Sequence, residues 1–342
     1  MDPGWFEELF GFEERSPEFV REHLRIEGTQ LHSLANGRVF EHGLLEIPTL
    51  TELRKQAQAA RQSGGTTLEE WISDAEALHR DPRAAGAVVQ VASQFNLLEM
   101  INPFVTPEEG ITGYVHDRTQ GPACALAAAA GTVYRAHLLP VEGIQGQTRD
   151  RQVDCLAGLG RALGPADEPL WEMQNGYSLP SSDQLAEIGR RLEALSPEAK
   201  DTVMASLQIG LQRDTEVTLE GVEHRLTQAY CSALPVAYGE HAADEWGPFA
   251  RLVLRGAYEA TLAAGVANMA RTGNPRVFLT LLGGGAFGNR TEWIFDAIEA
   301  ALEHHRQSGL EVVIISYQSS RPDAADLVER FNNHSASGTT RF

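Results

Sequence analysis

Cysteine is scarce in this chain, and the three cysteines are far apart. Cys124, Cys155 and Cys231 form no C-x-x-C pair and are odd in number, so the sequence indicates neither a disulfide framework nor a zinc site. We expect three buried thiols. The eleven histidines show no H-E-x-x-H spacing, and no other spacing demands a metal or a resident cofactor, so we predict neither.

Positive charge is also in short supply. The chain has 28 Lys and Arg against 47 Asp and Glu, a formal net charge of −19 over 342 residues. Affinity for nucleic acid depends on neutralising phosphates with Lys and Arg. We therefore expect no nucleic-acid partner, and a basic protein partner would suit this field better.

No run of apolar residues approaches the roughly 18 to 20 residues of a membrane span, and Met1-Asp2-Pro3-Gly4 lacks the features of a secretory signal. We expect a cytoplasmic protein that does not bind a membrane. The chain is 42% apolar and contains no linker rich in Pro, Gly or Ser. It is predicted to form one domain over residues 1–342, with about 1–80 as an N-terminal extension packed on it and about 140–200 as an insertion or lid.

Predicted strands alternate with predicted helices along the chain. The β-branched runs at 86–93, 207–219, 224–239 and 310–318 are typical of strands, and the stretches 121–138, 181–200, 248–270 and 293–306 are typical of helices. This alternation favours an α/β fold with three layers and a mixed central sheet.

The segment "FLTLLGGGAFGNRTEWI" is a strand that runs into a glycine-rich loop and then into a helix. Such a loop presents bare backbone N–H groups and the positive end of a helix dipole at one point, which suits an anion such as a diphosphate. It matches neither a P-loop nor G-x-G-x-x-G. A tight turn without a ligand is the alternative. The candidate phosphate-binding residues are Gly283, Gly284, Gly285, Ala286, Phe287, Gly288 and Asn289.

Polar residues also follow the strand predicted at 86–93, where α/β sheets collect ligands. Asn96 and Glu99 could bind ribose hydroxyls, with Gln94 and Phe95 beside them. Helix capping by Asn96 is an equally good reading.

A second group of polar residues, Asp117, Thr119 and Gln120, precedes the helix predicted from residue 121. Its N-terminus would point into the same cleft. The plain alternative is that Thr119 is only the N-cap of that helix.

Two carboxylates alternate along the strand predicted at 207–219. Asp214 and Glu216 would share one face of that strand, where only a cation, a metal or a proton could relieve their repulsion. A guanidinium could satisfy both carboxylates. A solvated edge strand is the alternative.

Several strings together, "ASQFNLLEM", "DRTQGPACALAAAAGTVYR", "QNGYSL", "DTEVT", "CSALPVAYG" and "FLTLLGGGAFGN", resemble the atypical macrodomain proteins related to the bacterial effector MavL, which bind and hydrolyse ADP-ribose conjugates. The likeness spans about residues 20 to 320. It implies a macrodomain core in which the glycine-rich loop holds the diphosphate of ADP-ribose. Gln94 and Asn96 would then lie near the distal ribose, and Tyr317 or Ser319 near the adenosine.

The resemblance further implies removal of ADP-ribose from an arginine side chain of a protein, so the expected partners are ADP-ribose and an ADP-ribosylated protein. Glu292 is expected to be the catalytic carboxylate because it follows the phosphate loop, with Asp214 and Glu216 orienting the guanidinium and Asp117 in reserve. The chain lacks the combined triple-glycine and Gln-Glu-Glu signature of poly(ADP-ribose) glycohydrolases, which argues against cleavage of the polymer. Two alternatives remain open, a non-catalytic reader of ADP-ribose and a hydrolase of a free ADP-ribose derivative.

Overall fold

The computed structural model describes residues 4–60, 64–165 and 168–337. The strands are β1 (Leu24–Glu27), β2 (Gln30–Ser33), β3 (Val39–Glu41), β4 (Leu44–Glu46), β5 (Thr67–Ile72), β6 (Val88–Ala92), β7 (Pro140–Val141), β8 (Ile144–Gln145), β9 (Glu172–Gln174), β10 (Tyr177–Leu179), β11 (Gly210–Glu216), β12 (Arg225–Cys231), β13 (Arg276–Leu279) and β14 (Glu311–Ser316).

The helices are α1 (Trp5–Phe10), α2 (Pro17–His23), α3 (Leu50–Ala60), α4 (Ala75–Arg80), α5 (Gln120–Ala127), α6 (Ala129–Val133), α7 (Ala157–Leu163), α8 (Ser182–Ala194), α9 (Pro197–Met204), α10 (Ala243–Thr272), α11 (Thr291–His304) and α12 (Pro322–Ser337). Within the described ranges, none has the length and hydropathy needed to cross a membrane.

Seven strands form the central sheet, in the order β4-β11-β12-β6-β13-β14-β5. The five strands from β12 to β5 run parallel to one another, whereas β11 is antiparallel to both of its neighbours. Consecutive residues of the parallel strands belong to different cores. Val88 and Val277 pack in the cluster that contains α10 and α11, whereas Val89 and Phe278 pack with α4 and α5.

Because consecutive side chains point to opposite faces of a sheet, α10 and α11 cover one face and α4 and α5 cover the other. This arrangement confirms the predicted α/β fold with three layers and a mixed central sheet.

The first 80 residues contribute to the sheet itself. They supply both of its edge strands, β4 and β5. They also form a separate antiparallel sheet, β1-β2-β3, and an aromatic core in which Trp5, Phe6 and Phe10 are buried. The N-terminal segment is thus built into the fold at both edges of the central sheet.

Three predicted elements differ from those in the structure. The helix predicted at 121–138 is broken at Ala128, where φ is −126° and ψ is 59°, and it ends in a π-helical turn, Tyr134–Leu138. The helix predicted at 181–200 is two helices, because Pro197 disfavours helical geometry at the residue before it and Ser196 caps the second helix. The strand predicted at 224–239 ends at Cys231. The three cysteines are buried and free, as expected.

Candidate functional site

A cleft opens where the central strands β6 and β13 separate. The two strands pair only at Val88–Val277 and Val89–Phe278. The chain leaving β6 continues to α5 on one face, and the chain leaving β13 continues to α11 on the other. Ligands of open α/β sheets bind at such a point, beyond the carboxyl ends of the strands.

The side chain of Gln120 fills the gap that β13 leaves beside β6. Its Oε1 accepts a hydrogen bond from the backbone N–H of Ala92 at 2.9 Å, and its Nε2 donates to the carbonyl of Gln90 at 3.0 Å. These are the bonds that a neighbouring strand would otherwise make. The freed backbone groups of β6 are therefore satisfied and the cleft stays open.

The cleft has two connected parts. The inner chamber has a cavity volume of about 140 Å³, and the outer groove has one of about 910 Å³. Together they are of the size that small-molecule sites occupy. The residues that line both parts are Asp117, Thr119, Gln120, Thr280, Leu281 and Gly285.

The glycine loop forms the junction between the chamber and the groove. Gly283, Gly285, Ala286 and Phe287 line the inner chamber, and Gly284 and Gly285 line the outer groove. Among the described residues, no acceptor takes a hydrogen bond from the backbone N–H of Gly285, Ala286 or Phe287. Three neighbouring free donors at the wall of a cleft are suited to an anion.

Two further members of the loop hold its shape. Asn289 donates from Nδ2 to the carbonyl of Leu234 at 2.8 Å, and its backbone N–H donates to Gly283. Gly288 has φ +70°, and a Cβ there would lie 2.8 Å from the Cβ of Ala237. Neither Gly288 nor Asn289 lines the cleft. We therefore assign them a structural role in holding the conformation of the loop.

Glu99 lines the inner chamber, although it is buried. Its Oε1 accepts no hydrogen bond from the described residues. Burial raises the pKa of this carboxyl well above its ordinary value, the charge of Asp117 adds to the rise, and the guanidinium of Arg135 opposes it. A carboxyl inside a cleft whose pKa is raised by burial holds its proton more strongly, which suits it to general acid catalysis.

Asp117 provides a second carboxylate at the junction. It is half-buried, and its Oδ1 accepts a hydrogen bond from the backbone N–H of Thr119 at 2.8 Å. Thr119 is the N-cap residue of α5 without making a side-chain capping bond. The predicted group Asp117, Thr119 and Gln120 therefore lies in the cleft, with Gln120 engaged in closing β6.

The polar residues after β6 divide into two kinds. Gln94 lines the chamber, but its amide is engaged with both backbone groups of Met100. Phe95 and Asn96 are buried outside the cleft, and Asn96 bonds to Leu98 and Gln152. These three residues shape the loop that carries Glu99.

The insertion predicted at about 140–200 braces this same loop. The backbone of Phe95 bonds to Gly176 and Cys155, and Gln147 donates to the carbonyl of Asn96. The insertion also brings Tyr177 into the chamber wall, where its ring contacts Tyr238 and Phe287. Neither Tyr177 nor Tyr238 was predicted as a site residue. For Tyr177, the Asn175-Gly176 turn predicts a hairpin but does not show where that hairpin packs.

The outer groove begins at the glycine loop and reaches the ends of β14 and β5. Tyr317 is 68% exposed and lines it. Phe278 and Phe295 supply apolar walls, and Arg118 and Arg321 supply positive charge. This mixture can hold a flat apolar group attached to a phosphate. Ser319, the other residue expected near the adenosine, lies close to Tyr317 and donates its backbone N–H to the carbonyl of Tyr317.

The three carboxylates predicted to be catalytic are not brought to the cleft. Glu292 points away from it on α11, with its side chain 57% exposed and 3.8 Å from Arg290. Asp214 and Glu216 lie toward the amino ends of the parallel strands, away from the cleft, since Glu216 pairs with Arg225 at the start of β12.

A β-bulge also breaks the alternation that was to align Asp214 with Glu216. The register of β11 shifts between Gln212 and Thr215, and Asp214 has φ +54°. Asp214 forms an ion pair with Arg271, while Glu216 accepts from the backbone N–H of Glu41. The two carboxylates therefore have separate partners rather than a shared guanidinium.

No protein-family model matches the chain, and no curated protein is similar to it. Similar solved structures are poly(ADP-ribose) glycohydrolases. One from Deinococcus radiodurans in complex with ADP-ribose is 14% identical, with 85% of this chain and 94% of that chain covered and a TM-score of 0.45. One from Thermomonospora curvata bound to the inhibitor ADP-HPD is 14% identical, with 92% and 95% covered and a TM-score of 0.43. ADP-ribose and ADP-HPD are ligands of those two enzymes.

Proposed function

We propose that the protein binds ADP-ribose across the cleft and hydrolyses the glycosidic bond that joins its distal ribose to a protein arginine side chain. The observation that carries the proposal is the junction itself. A loop with three backbone N–H groups that no described residue accepts from lies between an inner chamber that holds Glu99 and an outer groove with apolar walls and charged residues of both signs. A diphosphate on the loop directs the two ends of the ligand into these two spaces.

The roles follow from the lining of each space. The adenosine occupies the outer groove near Tyr317, and the distal ribose occupies the inner chamber near Glu99 and Asp117. Within the described residues, Glu99 and Asp117 are the only acidic or basic side chains that line the chamber, and with Glu99 protonated the negative charge there is that of Asp117. A chamber with negative charge and no positive charge is complementary to a guanidinium, which favours arginine over serine or a carboxylate as the carrier.

The reaction uses the two carboxylates differently. Departure of the arginine nitrogen gives C1″ of the ribose oxocarbenium character. Glu99, which burial keeps protonated, donates its proton to the departing nitrogen as the C1″–N bond breaks. Asp117 stabilises the positive charge at C1″ and takes a proton from the water whose oxygen forms the new bond to C1″. Glu292, Asp214 and Glu216 have no part in this scheme.

Calorimetric titration with ADP-ribose, beside release assays on proteins that carry ADP-ribose on arginine, serine or glutamate, tests the proposal. We expect binding, and release from arginine alone. Binding without release from any of them would instead assign the protein as a reader. Release only from small ADP-ribose esters would move the substrate to free derivatives, and absence of binding would reduce the glycine loop to a turn.

A further inference from the structure

A buried carboxylate of the N-terminal segment holds the turn that leads into the chamber. The side chain of Glu14 accepts hydrogen bonds from the backbone N–H groups of Ile111 and Thr112, at 2.9 Å and 2.6 Å, and from the hydroxyl of Thr112. Trp5 donates from its indole N–H to the carbonyl of Thr112 at 3.3 Å. The N-terminal segment therefore engages Thr112 by its N–H, its hydroxyl and its carbonyl.

This turn, Thr112–His116, contacts the backbone of both proposed catalytic residues through Tyr114. The hydroxyl of Tyr114 accepts a hydrogen bond from the backbone N–H of Glu99 at 2.8 Å. The N–H of Asp117 donates to the carbonyl of Tyr114. The turn thus fixes the backbone of one carboxylate and the start of the loop that carries the other.

Glu14 is also bonded to a second segment of the chain that contacts the loop carrying Glu99. Its Oε1 lies 2.6 Å from Nε2 of His137, and both side chains are almost fully buried. His137 belongs to the π-helical turn that carries Arg135. Arg135 donates to the carbonyl of Leu97 at 3.0 Å, two residues before Glu99. One carboxylate therefore links the two segments that border Glu99.

The close approach of Glu14 depends on a glycine. Gly110 has φ +84°, and a Cβ there would lie 2.6 Å from the carboxyl carbon of Glu14. Burial alone would raise the pKa of Glu14, but the hydrogen bond and charge of His137 and the bonds from Thr112 and Ile111 bring this pKa below its ordinary value. Glu14 is thus a charged, hydrogen-bonded group rather than a neutral filler.

We infer that Glu14 is a positioning residue for Glu99, acting through Tyr114 on one side and through His137 and Arg135 on the other. The inference rests on the proposed function only in naming Glu99 as the acid. It gives the N-terminal segment a role in catalysis, although Glu14 is far from Glu99 in the sequence. Loss of the Glu14 carboxylate frees the turn that bonds to the backbone of Glu99, and the better hydration of Glu99 that follows favours its ionisation. The charged or titratable groups that face Glu99 are Arg135, Asp117, Tyr114, Cys124, Tyr177 and Tyr230.

The test is carbon-13 NMR of the full-length protein with labelled glutamate carboxyls, in which Glu99→Gln assigns the Glu99 signal. In Glu14→Gln we expect the titration midpoint of Glu99 to fall by about one pH unit, a tenfold change in its protonation equilibrium. The kcat of release at neutral pH should fall with it, while KM and the Kd for ADP-ribose stay unchanged. Glu13→Gln is the matched control, since Glu13 is an exposed residue of the same segment that forms an ion pair with the exposed Arg15.

A Glu99 midpoint that is identical in Glu14→Gln and the wild type overturns the inference. If Glu14→Gln does not fold, Trp5→Phe provides a second variant, because it removes the bond to Thr112 while Glu14 stays in place, and it should shift the midpoint in the same direction by a smaller amount. A wild type that releases no ADP-ribose would refute the proposed function. The midpoints would still decide the positioning role, because they are measured without turnover.

Discussion

The carboxyl group of Glu99 lies directly against Gly121, so that a Cβ at position 121 would stand 2.2 Å from Oε2 of Glu99 and 2.3 Å from the carbonyl of Ala92. The first turn of α5 can therefore approach the end of β6 only with glycine at this position. The acid is enclosed between a strand end and a helix start, and this enclosure accounts for its raised pKa.

Replacement of Glu99 by Gln is expected to abolish catalysis without abolishing binding. Glutamine has the same shape and fits beneath Gly121, but it cannot donate a proton to a leaving nitrogen. We expect kcat for release to fall by about 10² to 10⁴ and the Kd for ADP-ribose to change little. Single-turnover release and calorimetry measure the two quantities. Glu292→Gln is the control and should retain full turnover, whereas an active Glu99→Gln would remove Glu99 from the mechanism.

The same substitution should stabilise the protein at high pH. Because the folded-state pKa of Glu99 is raised, the folded state holds a proton that the unfolded state releases, and stability falls as pH rises from the ordinary carboxyl pKa of 4.5 toward the raised value. Glutamine carries no such cost. At pH 5 the melting temperatures should be close, and at pH 8 Glu99→Gln should melt at least about 2 °C higher.

Equal Tm differences at pH 5 and pH 8 would contradict this account of Glu99. Glu292→Gln again serves as the control, since it alters an exposed carboxylate on the surface of α11. Its Tm difference from the wild type should not depend on pH over this range.

Two glycines of the loop should respond to alanine in opposite ways. At Gly285 a Cβ would meet no atom within 4 Å, so Gly285→Ala should fold normally and weaken ADP-ribose binding at least about tenfold by intruding on the anion. At Gly283, φ is +72° and a Cβ would lie 2.5 Å from Ala233. Gly283→Ala should therefore cost about 1 to 3 kcal/mol of stability. Denaturant melts and calorimetry distinguish the two, and a Gly285→Ala protein with unaltered affinity would argue against the anion site.

Asp214 and Glu216, which lie at the strand ends away from the cleft, should be dispensable for activity. Asp214 and Arg271 form a partly exposed ion pair, so Asp214→Asn is expected to cost no more than about 1 kcal/mol and to leave kcat and KM for release as they are. Loss of release from arginine in particular would restore Asp214 as a guanidinium partner. Denaturation and steady-state kinetics on the arginine-linked substrate make this comparison.

The sequence carried most of the information about the glycine loop. A β-branched strand, three glycines and a helix start are local features, and the free N–H groups of Gly285 and Ala286 follow from them. The orientation of Glu292 was also encoded. Trp293, Ile294, Ala297 and Ile298 are buried at helical spacing, and this periodicity turns the side chain of Glu292 outward.

The environment of Glu99 could not be predicted in this way. Its burial depends on α5, on the turn around Tyr114 and on Arg135, which come from separate parts of the chain. The bulge at Asp214 could not be predicted either, because the expected alternation of side chains along β11 assumes regular pairing with its neighbours. Local patterns thus predicted the strand, the glycine loop and the helix start, whereas the environment of Glu99 depends on tertiary packing.

Gln120 makes the hydrogen bonds to β6 that a neighbouring strand would otherwise make, and this has a consequence for the rate of ligand binding. If the backbone groups at the end of β6 had no partners, they would tend to pair with β13. A ligand would then have to break these hydrogen bonds before it could enter. In this protein the side-chain amide of Gln120, which belongs to the fold, bonds to β6 in place of β13. Entry of the ligand then requires no rupture of main-chain pairing, so association should be governed by diffusion and charge rather than by an opening step.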